Sequence, residues 1–163
     1  MKFIVDHNVG KLVKWLRMMG YDTLFFTGDD DWQMVMTALN EGRVILTRDT
    51  QIMNRGVVAS GRLKAILIQS DEPERQIQQV VRNLNLDTQS GLFSLCLECN
   101  QPLEERTKEQ VGGRVPPYVY KTQDRYVECP NCHRIYWKGT HWQAMTRKLA
   151  SLTGDPGKDK PER

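Results

Sequence analysis

The sequence predicts an α/β fold, with a parallel sheet flanked by helices and a smaller cysteine-containing segment after it. Over the first 85 or so residues, short apolar runs alternate with longer amphipathic segments, which is typical of strands joined by crossover helices. The apolar runs are nearly continuous, as in strands that are buried on both faces. Near residue 90, Cys, Pro and Gly become frequent and helical periodicity stops. We therefore expect domains at residues 1–90 and 91–152 and a frayed tail at residues 153–163.

Four apolar runs predict the strands, and each is followed by an amphipathic segment that predicts a helix. The strands are expected at residues 2–6, 22–27, 43–49 and 64–71. The helices are expected at residues 8–20, 29–42, 50–61 and 72–86, with a further one at residues 141–152. Gly20 is a natural stop for the first helix, and Pro73 suits the first position of the fourth. The pattern at residues 50–61 is the weakest of the set.

Acidic side chains follow all four predicted strands. In chain order they are Asp6, Asp29 to Asp31, Asp49 and Asp71. The carboxyl ends of parallel strands lie on one edge of a sheet, where ligands bind, so we expect these carboxylates to share a pocket. Crowded carboxylates repel one another, and a divalent cation removes that conflict. The pattern therefore predicts a site for Mg²⁺ or Mn²⁺, which prefer oxygen ligands and can activate water for attack on a phosphodiester.

The same aspartates have a structural interpretation, because Asp is a favoured helix N-cap and each precedes a predicted helix. Capping or a solvated loop is an equal or better interpretation for Asp29, Asp30 and Asp71. The metal site is the preferred interpretation for Asp6 and Asp49, which end the clearest strands. Asp31 is intermediate, since it could take part in a cap and still point its carboxylate into the pocket.

Basic residues surround these acids. Lys11, Lys14 and Arg17 share an arc of the first predicted helix that faces away from its apolar stripe. Lys11 is nearest the helix N-terminus, which favours a phosphate, and Arg48 adjoins Asp49. We expect Lys11 and Arg48 to offset charge on a phosphate, and Lys14 and Arg17 to contact nucleic acid. A solvated face is the alternative for the lysines, and Arg48 could instead hold Asp49 in place.

The four cysteines form two C-x-x-C pairs, and such pairs are typical of a structural zinc site made of four thiolates. They are Cys96, Cys99, Cys129 and Cys132. Disulfides are disfavoured in a cytosolic setting. A redox pair is the remaining alternative, although neither pair starts an α/β motif. Zinc would replace the hydrophobic core that this stretch lacks.

After the second pair, basic and aromatic residues are interleaved in the segment HRIYWKGTHW, residues 133–142. A surface of this kind can stack bases and bind phosphates, and we expect Arg134, Lys138 and His141 to contact nucleic acid. Packing against the first domain is the preferred interpretation for Tyr136 and Trp142. His133 could compete as a metal ligand, but four thiolates already complete the zinc site.

The segments FIVD, GKLVKWLRMMGYDT, EGRVILTRD, CLECN, CPNCH and YWKGTHW together resemble the Mut-seven C-terminal RNase family, over nearly all of the chain apart from its polar tail. The resemblance implies a PIN-like nuclease domain followed by a zinc ribbon. It also implies a metal-dependent ribonuclease whose acids are Asp6, Asp31 and Asp49, with the choice among Asp29, Asp30 and Asp31 left open. The fourth acid usual in PIN domains has no clear counterpart, and Asp71 is only a candidate.

Composition limits the partners and the location. The net charge is +3, with 11 basic and 11 acidic residues in 1–90 and 12 against 9 in 91–163. This imbalance hints at an anionic partner, although on charge alone a solubility surplus is the preferred explanation. The sequence contains neither a long apolar run nor a signal-peptide core, so we expect a cytoplasmic protein without a membrane partner. Whether it is a monomer or a homodimer is left open.

The function predicted from these features is metal-dependent hydrolysis of RNA, with a zinc ribbon that binds the nucleic acid. One alternative is a non-catalytic RNA-binding protein in which the acidic residues are structural. A second is a phosphoryl-accepting receiver, but that design needs an acidic pair after the first strand. Asp6 is instead followed by His7 and Asn8.

Overall fold

The computed structural model describes residues 1–154 and contains a four-stranded parallel sheet with strand order β2-β1-β3-β4. The strands are β1 (Lys2–Asp6), β2 (Thr23–Phe26), β3 (Arg43–Thr47) and β4 (Ala65–Leu67). β1 therefore pairs with β2 on one side and with β3 on the other. The predicted parallel α/β sheet is confirmed. β1 and β3 are its central strands, so Asp6 and the residues after Thr47 lie in the middle of one edge.

Helices cover both faces of the sheet and bury two apolar clusters. One cluster joins alternate residues of β1, such as Phe3 and Val5, to α1 (Leu12–Met18) and α5 (Pro73–Leu84). The other joins Ile4 and Ile45 to the helices of the opposite face. These are α2 (Asp31–Glu41), α3 (Thr50–Met53) and α4 (Gly56–Ala59). The weak pattern at residues 50–61 thus corresponds to two short helices, and Pro73 occupies the first turn of α5 as predicted.

Gly20 follows the end of α1 in the left-handed conformation, with φ of 92°. Its backbone lies against that of Gly91, so a Cβ at Gly20 would overlap the carbonyl oxygen of Gly91. Glycine is needed here both for the positive φ and for the close approach. The contact between Gly20 and Gly91 holds the start of the second part of the chain against the end of α1.

The second part of the chain contains a three-stranded antiparallel sheet with strand order β5-β6-β7. Its strands are β5 (Glu104–Arg106), β6 (Tyr126–Glu128) and β7 (Ile135–Tyr136). Two short helices, α6 (Lys108–Val111) and α7 (Pro117–Thr122), lie between β5 and β6. Neither of these two helices was predicted from the sequence. A capping box between Thr107 and Gln110 starts α6, and α6 is too short to show helical periodicity.

The last helix, α8 (Thr140–Thr153), packs against α5 of the first part. Leu149 is fully buried in the cluster beneath α1 and α5. Gln78 Nε2 donates a hydrogen bond of 2.6 Å to the carbonyl oxygen of Leu152, and Lys148 lies 2.6 Å from Glu74. The chain thus returns to the first predicted domain after the antiparallel sheet. Most of the predicted tail, residues 155–163, lies outside the described residues.

Over residues 1–154, every helix is too short or too polar to cross a lipid bilayer.

Candidate metal centres

Thr47 connects Asp6 to the segment that carries Asp49. Its hydroxyl donates a hydrogen bond of 2.7 Å to Asp6 Oδ2 and accepts one of 3.0 Å from the Asp49 backbone N–H. Asp6 is 3% exposed and Thr47 is fully buried, so this arrangement is held inside the protein. The ends of β1 and β3 therefore bring the Asp6 carboxylate close to the backbone of Asp49.

Asp31 belongs to the same electrostatic environment. It is the first residue of α2, and partial burial followed by the negative charges of Asp49 and Asp6 raises the pKa of its carboxyl above the ordinary value. The Arg55 guanidinium acts in the opposite direction and lowers that pKa. We call Asp6, Asp31 and Asp49 the acidic cluster. Its mutual repulsion favours proton uptake or a bound cation.

Several aspartates of this edge also cap helices, as the structural interpretation expected. Asp30 Oδ1 accepts a 2.9 Å hydrogen bond from Trp32 N–H, and Asp49 Oδ1 accepts one of 2.9 Å from Gln51 N–H. Capping uses Oδ1 of Asp49, and Oδ2 has no hydrogen-bond partner among residues 1–154. Asp71 is exposed in the loop before α5, and Asp29 is exposed before α2.

The candidate phosphate-binding residues Lys11 and Arg48 are both exposed. The Arg48 backbone N–H donates a 3.3 Å hydrogen bond to Asn8 Oδ1, which joins the loops after β1 and β3. Arg55 is a basic residue that the sequence analysis missed. Its guanidinium lies 5.9 Å from the ring centroid of Trp32 and interacts electrostatically with Asp31. Its position in a weak helical pattern gave no signal of this role.

Arg17 is not on an exposed arc, and the sequence analysis was wrong about its position. It is 8% exposed, and its Nη1 donates hydrogen bonds of 2.9 and 3.2 Å to the carbonyl oxygens of Leu97 and Glu98. Its Nε and Nη2 donate to the Thr23 carbonyl oxygen at 3.1 and 2.8 Å. Its guanidinium is therefore held inside the protein by backbone carbonyl oxygens. Lys14 is exposed as predicted, and its Nζ lies 3.1 Å from Glu98 Oε1.

Among residues 1–154, the four cysteines are the group of potential metal ligands that converges, with all four sulfurs within 4.8 Å of one another. The sulfurs of Cys96 and Cys132 are 3.7 Å apart, and a tetrahedral site with ~2.3 Å zinc–sulfur bonds separates its sulfurs by roughly 3.8 Å. This group could hold a zinc ion and fits a zinc ribbon. Across residues 1–154 the carboxylates of the acidic cluster do not converge to such a spacing.

Both C-x-x-C pairs adopt the same backbone arrangement, and we call residues 96–100 the first knuckle and residues 129–133 the second. The first cysteine's carbonyl accepts a hydrogen bond from the residue four positions on, at 3.0 Å in the first knuckle and 2.9 Å in the second. Cys99 N–H and Cys132 N–H donate to the sulfur of the preceding cysteine at 3.4 Å. Asn100 and His133, which follow, are both left-handed, with φ of 63° and 64°. This shared geometry points sulfurs and N–H groups toward one centre.

The surroundings favour the thiolate form that metal binding requires. Burial opposes ionisation of Cys96, but hydrogen bonds from the Tyr136 hydroxyl and from backbone N–H groups lower its pKa to about 7. The Tyr136 oxygen lies 3.2 Å from Cys96 Sγ and also accepts a 3.2 Å hydrogen bond from Leu97 N–H. Burial and the neighbouring Cys96 raise the pKa of Tyr136. Tyr136 therefore packs within the cysteine cluster, whereas the sequence analysis expected it to pack against the first domain.

His133 is directed away from the sulfurs. Its Nδ1 lies 3.1 Å from Glu128, a buried carboxylate that also binds Arg106 and Arg114. Hydrogen bonding by Arg114, with further contributions from His133 and Arg106, outweighs burial and lowers the pKa of Glu128 to about 2. The second knuckle is thus joined through His133 to the charged side chains around the buried Glu128. The sequence did not reveal this network.

The remaining predicted nucleic-acid contacts, Arg134, Lys138 and His141, are exposed. Lys138 Nζ lies 5.3 Å from the ring centroid of Phe93. Trp142 packs against the core of the first part, with its ring centroid 4.8 Å from that of Phe93. Packing was the preferred interpretation for Trp142, and it is confirmed.

The first knuckle is attached directly to the parallel sheet. Asn100 Oδ1 accepts a 2.9 Å hydrogen bond from Thr23 N–H, and its Nδ2 donates one of 2.7 Å to Asp22 Oδ1. Asp22 in turn lies 2.9 Å from Arg43 Nη1. Together with Arg17, these contacts join the cysteine cluster to β2 and β3. Sequence spacing carried no signal for Asn100.

Comparison with known proteins gives one finding about the family. The family model described as the Mut7-C RNAse domain matches residues 1–149. Among curated proteins and among solved structures, nothing gives a significant match.

Proposed function

Because the chain belongs to the Mut7-C RNAse domain family, we propose that it is a metal-dependent ribonuclease. In this proposal the parallel sheet is PIN-like, and the acidic cluster is its active site. The observation that carries the proposal is the hydrogen bonding of Thr47, which joins Asp6 to the Asp49 backbone at the carboxyl edge of the two central strands. Ligand sites of open α/β sheets lie at this edge.

The charges at this edge suit a divalent cation. The pKa of Asp31 is raised first by burial and then by the negative charges of Asp49 and Asp6, and a bound cation would oppose those charges. Asp6, Asp31 and Asp49 would hold Mg²⁺ or Mn²⁺, which when bound supplies Lewis-acid stabilisation and lowers the pKa of water. Thr47 fixes Asp6 Oδ2, and Gln51 N–H fixes one oxygen of Asp49.

Basic side chains would bind the RNA backbone beside these acids. Lys11 and Arg48 are exposed on the segments that follow β1 and β3, and in the proposal they neutralise the phosphate that is cleaved. The second part of the chain would hold a structural zinc ion on its four cysteines and contribute Arg134, Lys138 and His141 to RNA binding. Lys14 remains a candidate RNA contact through its exposed ammonium group, whereas the buried Arg17 does not.

The test is cleavage of a single-stranded RNA with Mn²⁺ present and absent, comparing the wild type with Asp6→Asn and Asp49→Asn. Loss of an acid that holds a catalytic metal should lower the rate by at least about 10³-fold. Asp124→Asn, an exposed acid of the second part with 91% side-chain exposure, is the matched control and should cleave normally. Wild-type cleavage by either Asn variant would exclude this mechanism.

The N-cap hydrogen bonds of Asp30 and Asp49 favour a second candidate, in which the acids are structural and the protein only binds RNA. The two candidates differ in metal binding at the acidic cluster. Calorimetric titration with Mn²⁺ should give a site that Asp49→Asn removes if the nuclease proposal holds. The binding-only candidate predicts equal titrations for the wild type and the variant.

A further inference from the structure

A cavity of about 810 Å³ lies between the first and second parts of the chain. α1 and β2 form one side, the first knuckle closes one wall, and α8 forms the other side. No role was predicted for this cavity from the sequence. We call it the interdomain groove.

Two aromatic side chains line this groove. Phe25, on the edge strand β2, is 45% exposed, which is unusual for a large apolar side chain in a sheet. Its ring lies against Gly10, where an added Cβ would come within 2.9 Å of the ring. Trp15 is half-buried on α1 and also lines the groove. Exposed aromatic faces can stack on unpaired bases, and such stacking is tolerant of sequence.

The charge of the groove is positive. Lys11, Lys14 and Lys148 line it together with His141, and Glu98 is the acidic residue among its lining residues in the described chain. Glu98 pairs with Lys14 at 3.1 Å, and Lys148 pairs with Glu74, which lies outside the lining. Ammonium groups along an apolar groove complement a chain of phosphates.

The two ends of the groove give it a direction. One end is formed by Gly10 and Lys11, which follow the short turn after Asp6. At the other end, a second cavity of about 480 Å³ shares His141 with the groove and continues along Arg134 and Tyr118, whose side chain is 70% exposed. A ligand in the groove would therefore pass from the ribbon toward the acidic cluster.

We propose that the interdomain groove binds single-stranded RNA and leads it from the ribbon to the acidic cluster, with Phe25 and Trp15 stacking on bases. This inference rests on the proposed ribonuclease function and names the form of its substrate. Stacking on Phe25 requires an unpaired base, because the bases of a duplex are already stacked on one another. The lysines of α1 and α8 bind phosphates on opposite sides of the strand.

The test is fluorescence anisotropy with a labelled oligouridylate of about 12 nucleotides, using the full chain with no added Mg²⁺ or Mn²⁺. Phe25→Ala should weaken binding roughly tenfold through the loss of stacking. Tyr120→Ala, an exposed aromatic residue of α7 outside both cavities, is the matched control and should stay within about twofold.

A second pair of variants tests the groove by placing a larger side chain in it. This test removes none of the proposed contacts with RNA. Ala144 is exposed on α8 and lines the groove, so Ala144→Trp should fill part of it and weaken binding by at least about fivefold. Ser151→Trp adds the same side chain at an exposed position of the same helix outside both cavities. It should bind like the wild type. Thermal unfolding of each variant shows that it is folded.

The outcomes separate the groove from the nuclease, because binding is measured without the cation that cleavage needs. If Phe25→Ala and Ala144→Trp both bind RNA with unchanged affinity, the groove proposal is wrong. Cleavage by the wild type would still support the nuclease proposal. If the wild type binds RNA through the groove but never cleaves it, the groove proposal holds and the nuclease proposal is wrong. Equally tight binding of a duplex of the same length would overturn the assignment to a single strand.

Discussion

The cysteine cluster takes its four sulfurs from two knuckles with the same backbone geometry, whereas the acidic cluster takes its carboxylates from two strand ends and the first turn of α2. The sulfurs already lie within 4.8 Å of one another, and the carboxylates of residues 1–154 form no comparable group. The local backbone geometry of the two knuckles arranges the first site. The second is arranged by the packing of the sheet and keeps its charges apart. In the proposed nuclease the acidic cluster must admit a substrate, whereas a structural zinc site need not.

The largest effect on the fold is expected from removing one of the four sulfurs of the cysteine cluster. Cys129→Ser should abolish stoichiometric zinc and unfold the antiparallel sheet, because structural zinc supplies about 10–16 kcal/mol of binding free energy in small domains. The measurements are zinc per chain by elemental analysis and near-ultraviolet circular dichroism. Asp49→Asn is the contrasting variant and should keep its zinc. Full zinc occupancy in Cys129→Ser would mean that the four sulfurs are not the ligands.

A smaller effect is expected where the fold, rather than an ion, holds the site. Thr47→Val removes the hydroxyl that pairs with Asp6 Oδ2 and the Asp49 N–H while keeping the shape of the side chain. The buried partners left without hydrogen bonds should lower the free energy of unfolding by about 2–3 kcal/mol, measured by urea denaturation. Thr27→Val, at an exposed position after β2, should cost almost nothing. Equal stability of the two variants would show that Thr47 does not organise the acidic cluster.

The smallest effect concerns the contact between the two regions. Asp22 is partly buried, which opposes ionisation, but hydrogen bonds from Arg43 and Asn100 lower the pKa of its carboxyl below the ordinary value. A carboxyl with a lowered pKa stabilises the fold above its unfolded pKa, and that stability is lost as pH falls through the folded value.

Asp22→Asn should therefore cost about 0.5–1 kcal/mol at neutral pH, a modest figure because 42% exposure screens the pair. The difference between wild type and variant should shrink below about pH 4. Urea denaturation at a series of pH values measures it. A difference that stays constant down to the acid range would indicate that the charge of Asp22 is not what matters.

Sequence periodicity was enough to place the strands and the main helices, because each buries a regular apolar pattern. The C-x-x-C spacing likewise sufficed for the cysteine cluster, since each pair sits in one continuous segment. Arg17 was misplaced for the opposite reason. A helical wheel describes one helix, whereas the carbonyl groups that bind Arg17 belong to β2 and to the first knuckle, the latter 80 residues later in the chain.

The short polar helices α6 and α7 were also not predicted from the sequence. α6 and α7 show no periodicity, although Thr107 and Gln110 carry a capping-box pattern that could have located the first of them. Among the adjacent aspartates, Asp30 caps α2, whereas Asp31 is the first residue of α2 and has a pKa raised by burial and by Asp49 and Asp6. Sequence alone could not separate them, because the choice depends on where the first turn of α2 begins.

The return of α8 to the first part has a consequence for how the protein folds during synthesis. Leu149 completes the apolar layer on one face of the parallel sheet, yet it leaves the ribosome after every strand of that sheet. Until then the nascent chain exposes part of α5 to solvent, and premature release or truncation before α8 should favour aggregation.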